Sequence, residues 1–417
     1  MKRRTFLKFG AAGLSLAGIA AYTHWPDQGV INPCLALPMP QELLNHDLVQ
    51  AAWEGIDSSR VWDCHVHLIG VGDGLGTWIN PEMDSWAHPL QFAQKRFFLN
   101  AGCADANAGR TDSSYVDRLV SLHSHGMRQA KSMLLAFDYA YDEKGNRAAA
   151  NSTFYAANEY AAGIANQYPE HFEWICSVHP YRGDALAALR WAKQQGARAV
   201  KWLPAAMGIN PASPLCSAYY RLLRELDLPL LTHAGAERAV HGMAAEQYGN
   251  PLLLRSALEA GVRVIVAHCA SMGESSDTDV GANGPSRSNF SLFMRMLAEP
   301  RFKNLLYGDI SAIAQANRAR EALAAVILRQ DLHNRFLNGS DYPLPGVMPL
   351  FSLRQLAALK LLDDKHIETL SALRRFNALL FDFVLKRSLN LNGARFAPGV
   401  FETREFFVRL SNNAISR

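Results

Sequence analysis

From residue 61 onward, short runs of β-branched, aromatic and aliphatic residues recur along the chain, separated by segments of helical periodicity. We predict eight strands, at 61–68, 132–137, 172–179, 199–203, 229–233, 263–268, 305–310 and 336–341. Apolar residues fall at helical spacing in the segments between most of them, as at 184–195, 218–226, 251–260 and 317–330. The regular alternation of strands and helices predicts parallel βαβ units.

Eight such units suit a closed (β/α)8 barrel of the TIM type, and an open doubly wound sheet is the alternative. No Gly-x-Gly-x-x-Gly turn follows the first strand, which removes the main support for a dinucleotide-binding sheet. Ionisable residues instead stand at the C-terminal ends of many strands, where barrel enzymes hold their active sites. The pattern therefore favours an α/β fold of the (β/α)8 barrel class.

Further segments extend this barrel. Residues 69–131 are too many for a simple crossover and predict an insertion that covers the mouth or extends an interface. Residues 350–362 and 366–385 predict terminal helices. We divide the chain into a signal segment at 1–30, a lead-in at 31–60, the barrel domain at 61–388 and a C-terminal tail at 389–417.

The first predicted strand contains His65 and His67, two residues apart. Side chains alternate along a strand, so both imidazoles project from one face and can reach one metal ion. Two neutral imidazoles suit zinc and similar ions, but a closed site needs about four ligands. A strand with two incidental histidines is the alternative unless other ligands are found.

Three later strands also end in a side chain that can bind a metal. His233 ends the fifth strand, His268 the sixth and Asp341 the eighth. Burying these groups without partners would cost several kcal/mol each. In a closed barrel they converge on one point with the two histidines of the first strand, which favours a shared metal site over separate core residues.

Composition and charge limit the classes of function. With 49% hydrophobic and 19% charged residues, the chain is typical of a globular protein with a sizeable core. The formal net charge is +4, but Lys2, Arg3, Arg4 and Lys8 supply four positive charges with no acid before Asp27. The rest of the chain is close to neutral, so no nucleic-acid partner is expected.

The six cysteines are scattered without a repeated short spacing. They predict neither a disulfide framework nor a cysteine zinc site. Cys64 and Cys269 each adjoin a candidate histidine, and we interpret both as small buried apolar residues.

The N-terminus joins a basic start to an uninterrupted run of small and apolar residues at 9–21. The run is too short to span a bilayer comfortably but fits the hydrophobic part of a signal peptide. Arg3-Arg4 followed by Phe6-Leu7-Lys8 resembles the twin-arginine export signal of bacteria. We expect export to the periplasm, with a membrane tether if the signal stays uncleaved; the alternative is the basic helix of a cytoplasmic protein.

Four motifs together resemble the amidohydrolase superfamily, in its amidohydrolase-related branch of metal-dependent hydrolases and nonoxidative decarboxylases. They are Asp63-Cys64-His65-Val66-His67, Thr232-His233-Ala234-Gly235, Ala267-His268 and Gly339-Ser340-Asp341-Tyr342-Pro343. The resemblance spans about residues 61–383. It implies that one divalent ion, zinc or alternatively manganese, is bound by His65, His67, His233 and Asp341. It also implies that His268 polarises the substrate or handles a proton beside that ion.

Lys201 ends the fourth predicted strand, in Val200-Lys201-Trp202-Leu203-Pro204. In binuclear relatives a lysine at this strand end is carboxylated and bridges two metals. The alternative is a charged lysine that contacts a substrate carboxylate or an internal acid. The Lys-x-x-Pro context favours this alternative because it resembles the mononuclear branch.

The ligand set and the resemblance predict a metal-dependent hydrolase of an ester, lactone or amide. A divalent ion lowers the pKa of its water from 15.7 towards about 7, and Asp341 is the expected catalytic base, with His268 as the second catalytic group. A metal-dependent nonoxidative decarboxylase of a small aromatic acid is the alternative. A catalytically silent metal-binding protein is the alternative of another class.

Loops after the strands are expected to contact a small-molecule substrate. The candidate contacts are His179 and Arg182 after the third strand, and Glu237 and His241 after the fifth. The twin-arginine export machinery is the other expected partner, and a homodimer is left open.

Overall fold

The computed structural model describes residues 26–408 except 75, 108, 238, 239, 241, 244, 282, 319 and 320. Most of the expected export signal lies outside these residues. The strands of the described part are β1 (Trp62–His67), β2 (Thr77–Ile79), β3 (Lys131–Leu135), β4 (Phe154–Ala156), β5 (Phe172–Ile175), β6 (Val200–Trp202), β7 (Leu230–Thr232), β8 (Val264–Val266), β9 (Glu274–Ser276), β10 (Ser286–Ser288), β11 (Leu306–Asp309) and β12 (Phe336–Leu337).

Its α-helices are α1 (Gln41–Leu44), α2 (Asp47–Trp53), α3 (Pro89–Ala101), α4 (Thr111–Ser124), α5 (Asn158–Gln167), α6 (Ala185–Gln194), α7 (Pro204–Met207), α8 (Ser217–Glu225), α9 (Arg255–Glu259), α10 (Asn289–Leu297), α11 (Ala322–Leu328), α12 (Leu353–Ala358), α13 (Ile367–Phe376), α14 (Ala378–Ser388) and α15 (Arg404–Phe407). Within the described ranges, none of these helices combines the length and the apolar character needed to cross a membrane.

The eight predicted strands are all present, each shorter than its predicted run. β1, β3 and β5 form one parallel sheet, and β6, β7, β8, β11 and β12 form a second, in that spatial order. Isolated parallel bridges join the two sheets at both seams, between Cys176 and Val200 and between Val66 and Tyr342. The chain therefore has the α/β fold of a (β/α)8 TIM-type barrel.

A register shift in β1, between Asp63 and Val66, sets the direction of the first histidine. Within the shift, Cys64 packs in the inner apolar cluster of the barrel, and His65 also faces inward. Val66, which follows them, packs in the larger cluster between the strands and the helices. The shift therefore allows consecutive residues to face the interior, which strict alternation forbids.

The helical periodicity predicts where the terminal helices lie but not where they break. The predicted helix 366–385 is divided into α13 and α14 at Asn377, whose backbone is extended (φ −143°, ψ 98°). Its side-chain oxygen accepts the N–H of Leu380, and its side-chain amide donates to the carbonyl oxygen of Leu122. Asn377 thus caps α14 and ties it to the end of α4.

The predicted insertion after β1 contains β2, α3 and α4. β2 pairs antiparallel with β4, which lies in the connection between β3 and β5. A second small ribbon, β9 with β10, follows β8. These additions lie between the ends of the barrel strands and the helices that follow, where loops form the mouth of a barrel.

Cys34 in the lead-in and Cys103 after α3 form a disulfide. The expectation that the cysteines form no disulfide is therefore wrong for this pair. The remaining cysteines are free and buried, as predicted for Cys64 and Cys269. Sequence spacing did not reveal the bond because its two residues are 69 positions apart and meet only through the insertion.

The described part of the C-terminal tail packs against the N-terminal end of the barrel. Phe407 joins the inner apolar cluster formed by the barrel strands. Arg263 donates from Nη1 to the carbonyl oxygen of Phe406 at 2.7 Å, and Thr403 donates to the carbonyl oxygen of Trp62. The tail thus covers one end of the barrel while the other end remains available for the polar residues.

Candidate metal centre

Polar side chains collect at the C-terminal ends of the barrel strands. His65 and His67 lie on β1 and Lys201 on β6. His233 follows β7, His268 follows β8 and Asp341 follows β12. All six line one cavity, so the structure brings together every predicted metal-binding and catalytic residue.

Asp341 lies in the middle of this group. Its Oδ1 is 3.1 Å from Nε2 of His67 and 3.4 Å from Nε2 of His65. Its Oδ2 is 3.6 Å from Nε2 of His268. Ligands about 2.1 Å from a tetrahedral zinc ion lie roughly 3.4 Å from one another. The spacing of these atoms therefore fits a shared divalent ion.

Asp309, at the end of β11, is a candidate that the sequence analysis did not identify. Its Oδ2 accepts a hydrogen bond from Nδ1 of His65 at 2.9 Å, and its Oδ1 accepts the backbone N–H of His268 at 2.8 Å. A carboxylate in this position fixes the tautomer and orientation of a metal-binding histidine. The signal was available, because Asp309 also ends an apolar strand.

Ser311 fixes the ring of His268 in a similar way. Nδ1 of His268 lies 3.1 Å from the carbonyl oxygen of Ser311 and 2.7 Å from its hydroxyl. A carbonyl oxygen only accepts, so these contacts assign the proton of the neutral imidazole to Nδ1. Nε2 then presents a lone pair towards Asp341, as a metal ligand or a proton acceptor requires.

His233 stands at the side of the central group. Its ring centroid lies 5.6 Å from that of His268, and its Nε2 is 3.4 Å from Oε2 of Glu237. Among the described residues, the tight set of ligand atoms around Asp341 contains His65 and His67 but not His233. The structure brings His233 to the cavity and directs its Nε2 at Glu237.

Lys201 approaches the ligand set from β6. Its Nζ lies 2.9 Å from Nε2 of His65, and the residue is only 1% exposed. Burial lowers the pKa of its ammonium group, while Asp309 and Asp341 act in the opposite direction. The lysine is within reach of the ligands, as both interpretations of this residue require.

Burial favours the neutral form of three histidines of the centre. It lowers the pKa of His67, lowers that of His268 well below its usual value and lowers that of His233 to about 4. For Asp341, burial acts to raise the pKa, but His268, His65 and a hydrogen bond from His67 outweigh it and hold the pKa well below its usual value. Neutral imidazoles and an ionised carboxylate are the forms that bind a divalent ion.

The backbone is strained at two of these positions. His268 has φ 54° and Asp341 has φ 63°, in the left-handed region that non-glycine residues rarely occupy. Such conformations cost about 1–3 kcal/mol and persist where the surroundings impose them, often at functional sites. Here the N–H of Asp341 donates to the carbonyl oxygen of His65 at 2.8 Å. A Cβ on Gly339 would lie 2.9 Å from Cβ of His65, so only glycine fits there.

The centre opens into a cavity of ≈ 580 Å³. Aromatic rings line part of it, namely Phe97 and Phe98 of α3 and Phe154 of β4. Pro26 and Val30, which precede the lead-in, also line it. The insertion, the β2–β4 ribbon and the segment at 26–30 therefore give the cavity an apolar wall, while the barrel strands supply its polar floor.

Of the predicted substrate contacts that the structure describes, Glu237 lines the cavity, and His179 and Arg182 do not. Nε2 of His179 donates to the carbonyl oxygen of Met207 at 3.0 Å, and its Nδ1 accepts the N–H of Tyr181 at 3.2 Å. Arg182 forms ion pairs with Asp138 and Asp184. Both side chains therefore bind neighbouring residues and do not face the cavity. His241 lies outside the described residues.

The amidohydrolase family model (Amidohydro_2) matches residues 62–369 of the chain. The chain belongs to the amidohydrolase family. The match begins in β1 and ends in α13, so it includes every residue of the candidate centre. None of the curated proteins compared with this amidohydrolase matches it.

Solved structures with a similar fold share little sequence with this amidohydrolase. An uncharacterised TIM-barrel protein from Bordetella bronchiseptica is 15% identical, with a TM-score of 0.45, over 74% of this chain and 94% of the other. IDCase from Metarhizium anisopliae is 11% identical, with a TM-score of 0.43, over 85% and 97%. A 5-carboxyvanillate decarboxylase from Novosphingobium aromaticivorans, solved as a mutant with bound manganese, is 12% identical, with a TM-score of 0.38, over 76% and 94%.

Proposed function

We propose that this amidohydrolase is a metal-dependent hydrolase that cleaves a C–O or C–N bond of an ester, lactone or amide. The main observation behind the proposal is the position of Asp341, whose two oxygens face the imidazoles of three histidines. A carboxylate in this place can bind a cation and also exchange protons with reacting groups.

The spacing of His65, His67 and Asp341 fits a shared divalent cation. We assign these three residues as ligands of one zinc ion, with manganese as the alternative, and we assign His233 as the fourth ligand, which requires its Nε2 to turn from Glu237 towards the ion. A cation bound there acidifies a water molecule and polarises a carbonyl group. Asp309 supports the assignment because it orients His65 from behind.

Asp341 is the proposed general base. Its low pKa keeps the carboxylate ionised at neutral pH, so it can accept the proton of the attacking water and pass it to the leaving group. His268 presents an unprotonated Nε2 at 3.6 Å from Oδ2 of Asp341. It can therefore hold that proton on its way from Asp341 to the leaving group.

Nonoxidative decarboxylation of a small aromatic acid is the second candidate reaction, and the aromatic wall of the cavity favours it. Phe97, Phe98 and Phe154 offer ring faces and edges to a flat substrate. The same ligand set serves both reactions. The products therefore distinguish them, because hydrolysis releases an acid together with an alcohol or amine, and decarboxylation releases carbon dioxide.

The test combines elemental analysis with a substrate panel of lactones, esters and aromatic carboxylates. We expect one divalent ion per chain and acid release from a lactone or ester. Two tightly held ions would contradict the single-ion assignment and favour a carboxylated Lys201. Metal bound without turnover of any member of the panel would favour the catalytically silent metal-binding protein.

We also propose that a twin-arginine signal exports the protein to the periplasm. The disulfide between Cys34 and Cys103 supports this location, because such bonds form and persist in oxidising compartments. The test is fractionation of cells that carry the native chain or a variant with Arg3→Lys and Arg4→Lys. We expect the native chain in the periplasmic fraction and the variant in the cytoplasm; equal distribution of the two chains would contradict export by this route.

A further inference from the structure

Two polar side chains of the turn after β11, Gln315 and Arg318, line the cavity beside the metal centre. Neither has a role in the proposed proton transfers. Nη1 of Arg318 donates to the hydroxyl of Ser271 at 2.9 Å. Its Nε is buried without a hydrogen-bond partner, and so is Nε2 of Gln315. Two adjacent groups thus keep unused donor capacity in a largely apolar cavity.

The charges around Arg318 leave it available for a ligand. Asp341, Asp309 and Glu237 are near enough to affect the pKa of its guanidinium group, which burial lowers overall. Asp341 and Asp309 are already engaged with histidines, and Glu237 lies 3.4 Å from His233. An arginine stays protonated in such surroundings, so the cavity is lined by a half-buried cation in addition to Lys201.

The turn that carries these residues is held firmly. The N–H of Arg318 donates to the carbonyl oxygen of Gln315 at 2.9 Å, and that of Gln315 donates to Ala312 at 3.0 Å. The N–H of Ala316 donates to the carbonyl oxygen of Leu350 at 2.8 Å, and the side chain of Gln355 donates to the carbonyl oxygen of Ala316 at 2.9 Å. Little ordering is therefore left for a ligand to impose on this turn.

We propose that Arg318, assisted by Gln315, binds a carboxylate of the substrate that lies away from the reacting carbon. This inference rests on the proposed function and narrows its substrate class to acids that keep a free carboxylate beside the group under attack. The apolar body of such a substrate would contact the ring wall of Phe97, Phe98 and Phe154. Arginine suits this role because its planar fork pairs with a carboxylate.

The test measures binding by calorimetry to the metal-loaded enzyme. The probes are isophthalate and terephthalate, which hold two carboxylates at different separations, and their monoamides, which keep one carboxylate for the metal centre and replace the other by a neutral group. We expect the better diacid to bind about 10- to 100-fold more tightly than its monoamide, the range for a charge-assisted hydrogen bond. Equal binding of diacid and monoamide by the native enzyme, or no binding of either diacid, would overturn the proposal.

Variants of Arg318 locate the preference. In Arg318→Met we expect the diacid preference to fall below about 3-fold, with Arg318→Lys intermediate because it keeps the charge but loses the fork. Ser271→Ala is the matched control, since it removes the hydroxyl that Arg318 contacts and should keep most of the preference. Metal content and thermal melting verify that each variant is folded. A full preference in Arg318→Met would refute the assignment.

The binding test is separable from the test of the reaction. If no ester or lactone is hydrolysed but the diacid preference depends on Arg318, the proposed reaction fails and the recognition site stands. If hydrolysis is found and the preference is absent, the recognition site fails and the reaction stands.

Discussion

Asp341 and Asp309 contact the two nitrogens of His65 from opposite sides. Nε2 lies 3.4 Å from Asp341, which borders the cavity, and Nδ1 lies 2.9 Å from Asp309, which is fully buried. The two acids therefore have separable roles. The first can touch reacting groups, and the second can act only by orienting the histidine.

Replacing Asp341 by asparagine tests the base assignment. We expect Asp341→Asn to retain much of the metal, since an amide oxygen and the histidines remain. Turnover should fall by about 10²- to 10⁴-fold, the usual contribution of a general base. Elemental analysis and kcat for the best substrate of the panel measure the two effects. Full activity in this variant would refute the role of Asp341.

Replacing Asp309 by asparagine tests the orienting role. We expect Asp309→Asn to weaken zinc binding by about 10- to 100-fold, the usual cost of losing a partner behind a ligand. Competition with a chelator measures the affinity. Asp138→Asn is the matched control, because Asp138 is also buried but pairs with Arg182 outside the cavity. Equal affinity in both variants would show that Asp309 has no specific role.

His123 predicts a pH effect on stability that is independent of the metal centre. Burial lowers its pKa to about 3, and its ring contacts Ala130 and Ser132 in the neutral form. In the unfolded chain the ring takes up a proton below about pH 6.5. The free energy of unfolding of the native protein, relative to His123→Gln, should therefore be constant above pH 6.5 and fall by about 1.4 kcal/mol per pH unit between pH 6.5 and 3.

Guanidinium unfolding of both proteins at pH 7.5, 6 and 5 measures this difference. Other buried groups titrate in the same range, and the subtraction removes their contribution as long as the variant keeps the fold. A difference that is constant, or that grows on acidification, would contradict the assignment of a neutral buried histidine.

At single positions, the sequence predicted the residues that gather at the strand ends better than it predicted the loop residues that line the cavity. A histidine or aspartate that ends an apolar strand is unusual in a core, so His233, His268 and Asp341 were recognisable. Asp309 carried the same signal. His179 and Arg182 occupy a loop, where the sequence does not show that Asp138 on a neighbouring strand end will pair with the arginine. Long-range partners of this kind are visible only in the folded chain.

At the scale of elements, the loop after β12 depends on one arginine of α13. Arg374 is 1% exposed, and its guanidinium donates to the carbonyl oxygens of Pro345, Val347 and Met348. This loop lines the cavity beside Asp341. A helix far along the chain therefore holds one side of the substrate cavity in place.

Arg335 offers a matched comparison for Arg374. It is also buried and donates to three carbonyl oxygens, those of Leu297, Phe302 and Leu306, at the other end of the barrel. We expect Arg374→Met and Arg335→Met each to lower the free energy of unfolding by about 3 kcal/mol, because each leaves buried carbonyls without donors.

The two arginine variants should differ in function. We expect only Arg374→Met to lower kcat/KM, by about 10-fold or more, since a small misplacement near reacting groups is costly. Unfolding in denaturant and steady-state kinetics measure the two quantities. Equal kinetic losses in both variants would indicate a general effect of instability instead of a local one.

The periodicity of the sequence predicted where the strands and helices lie. It did not predict the break between two helices or the register of the strands. The two-residue repeat placed His65 and His67 on one face, and both line the cavity. It did not predict the register shift between Asp63 and Val66, where Cys64 and His65 both face the interior. Periodicity also merged α13 with α14, since Asn377 interrupts the helix without interrupting the apolar pattern. Such features depend on partners outside the local sequence.

At the scale of the whole molecule, the two ends of the barrel are closed by different parts of the chain. The insertion and the segment at 26–30 form part of the wall above the metal centre, and the C-terminal tail covers the opposite end. Phe407 enters the inner apolar cluster and is 7% exposed. Periodicity could not predict this segment, because α15, the α-helix in the described part of the tail, has only four residues.

Replacing Phe407 tests whether the tail is part of the barrel. We expect Phe407→Ala to lower the free energy of unfolding by about 3 kcal/mol, as for other aromatic rings removed from a core. The metal content should stay unchanged because the centre lies at the other end. Leu215→Ala is the control, since Leu215 is 49% exposed and its loss should have little effect. Equal melting temperatures of the native protein and Phe407→Ala would contradict this role.

The bond between Cys34 and Cys103 lies where the lead-in, the end of α3 and the loop after β12 meet. Asn32 and Asn100 hold the same junction by two hydrogen bonds, and the side chain of Asn32 also donates to Gly346. A newly made chain in a reducing cytoplasm would therefore hold this corner of the cavity by hydrogen bonds and packing, without the covalent link. The disulfide would form only when the chain meets an oxidant. The compartment in which the chain matures would therefore determine whether the lead-in and the end of α3 are covalently joined.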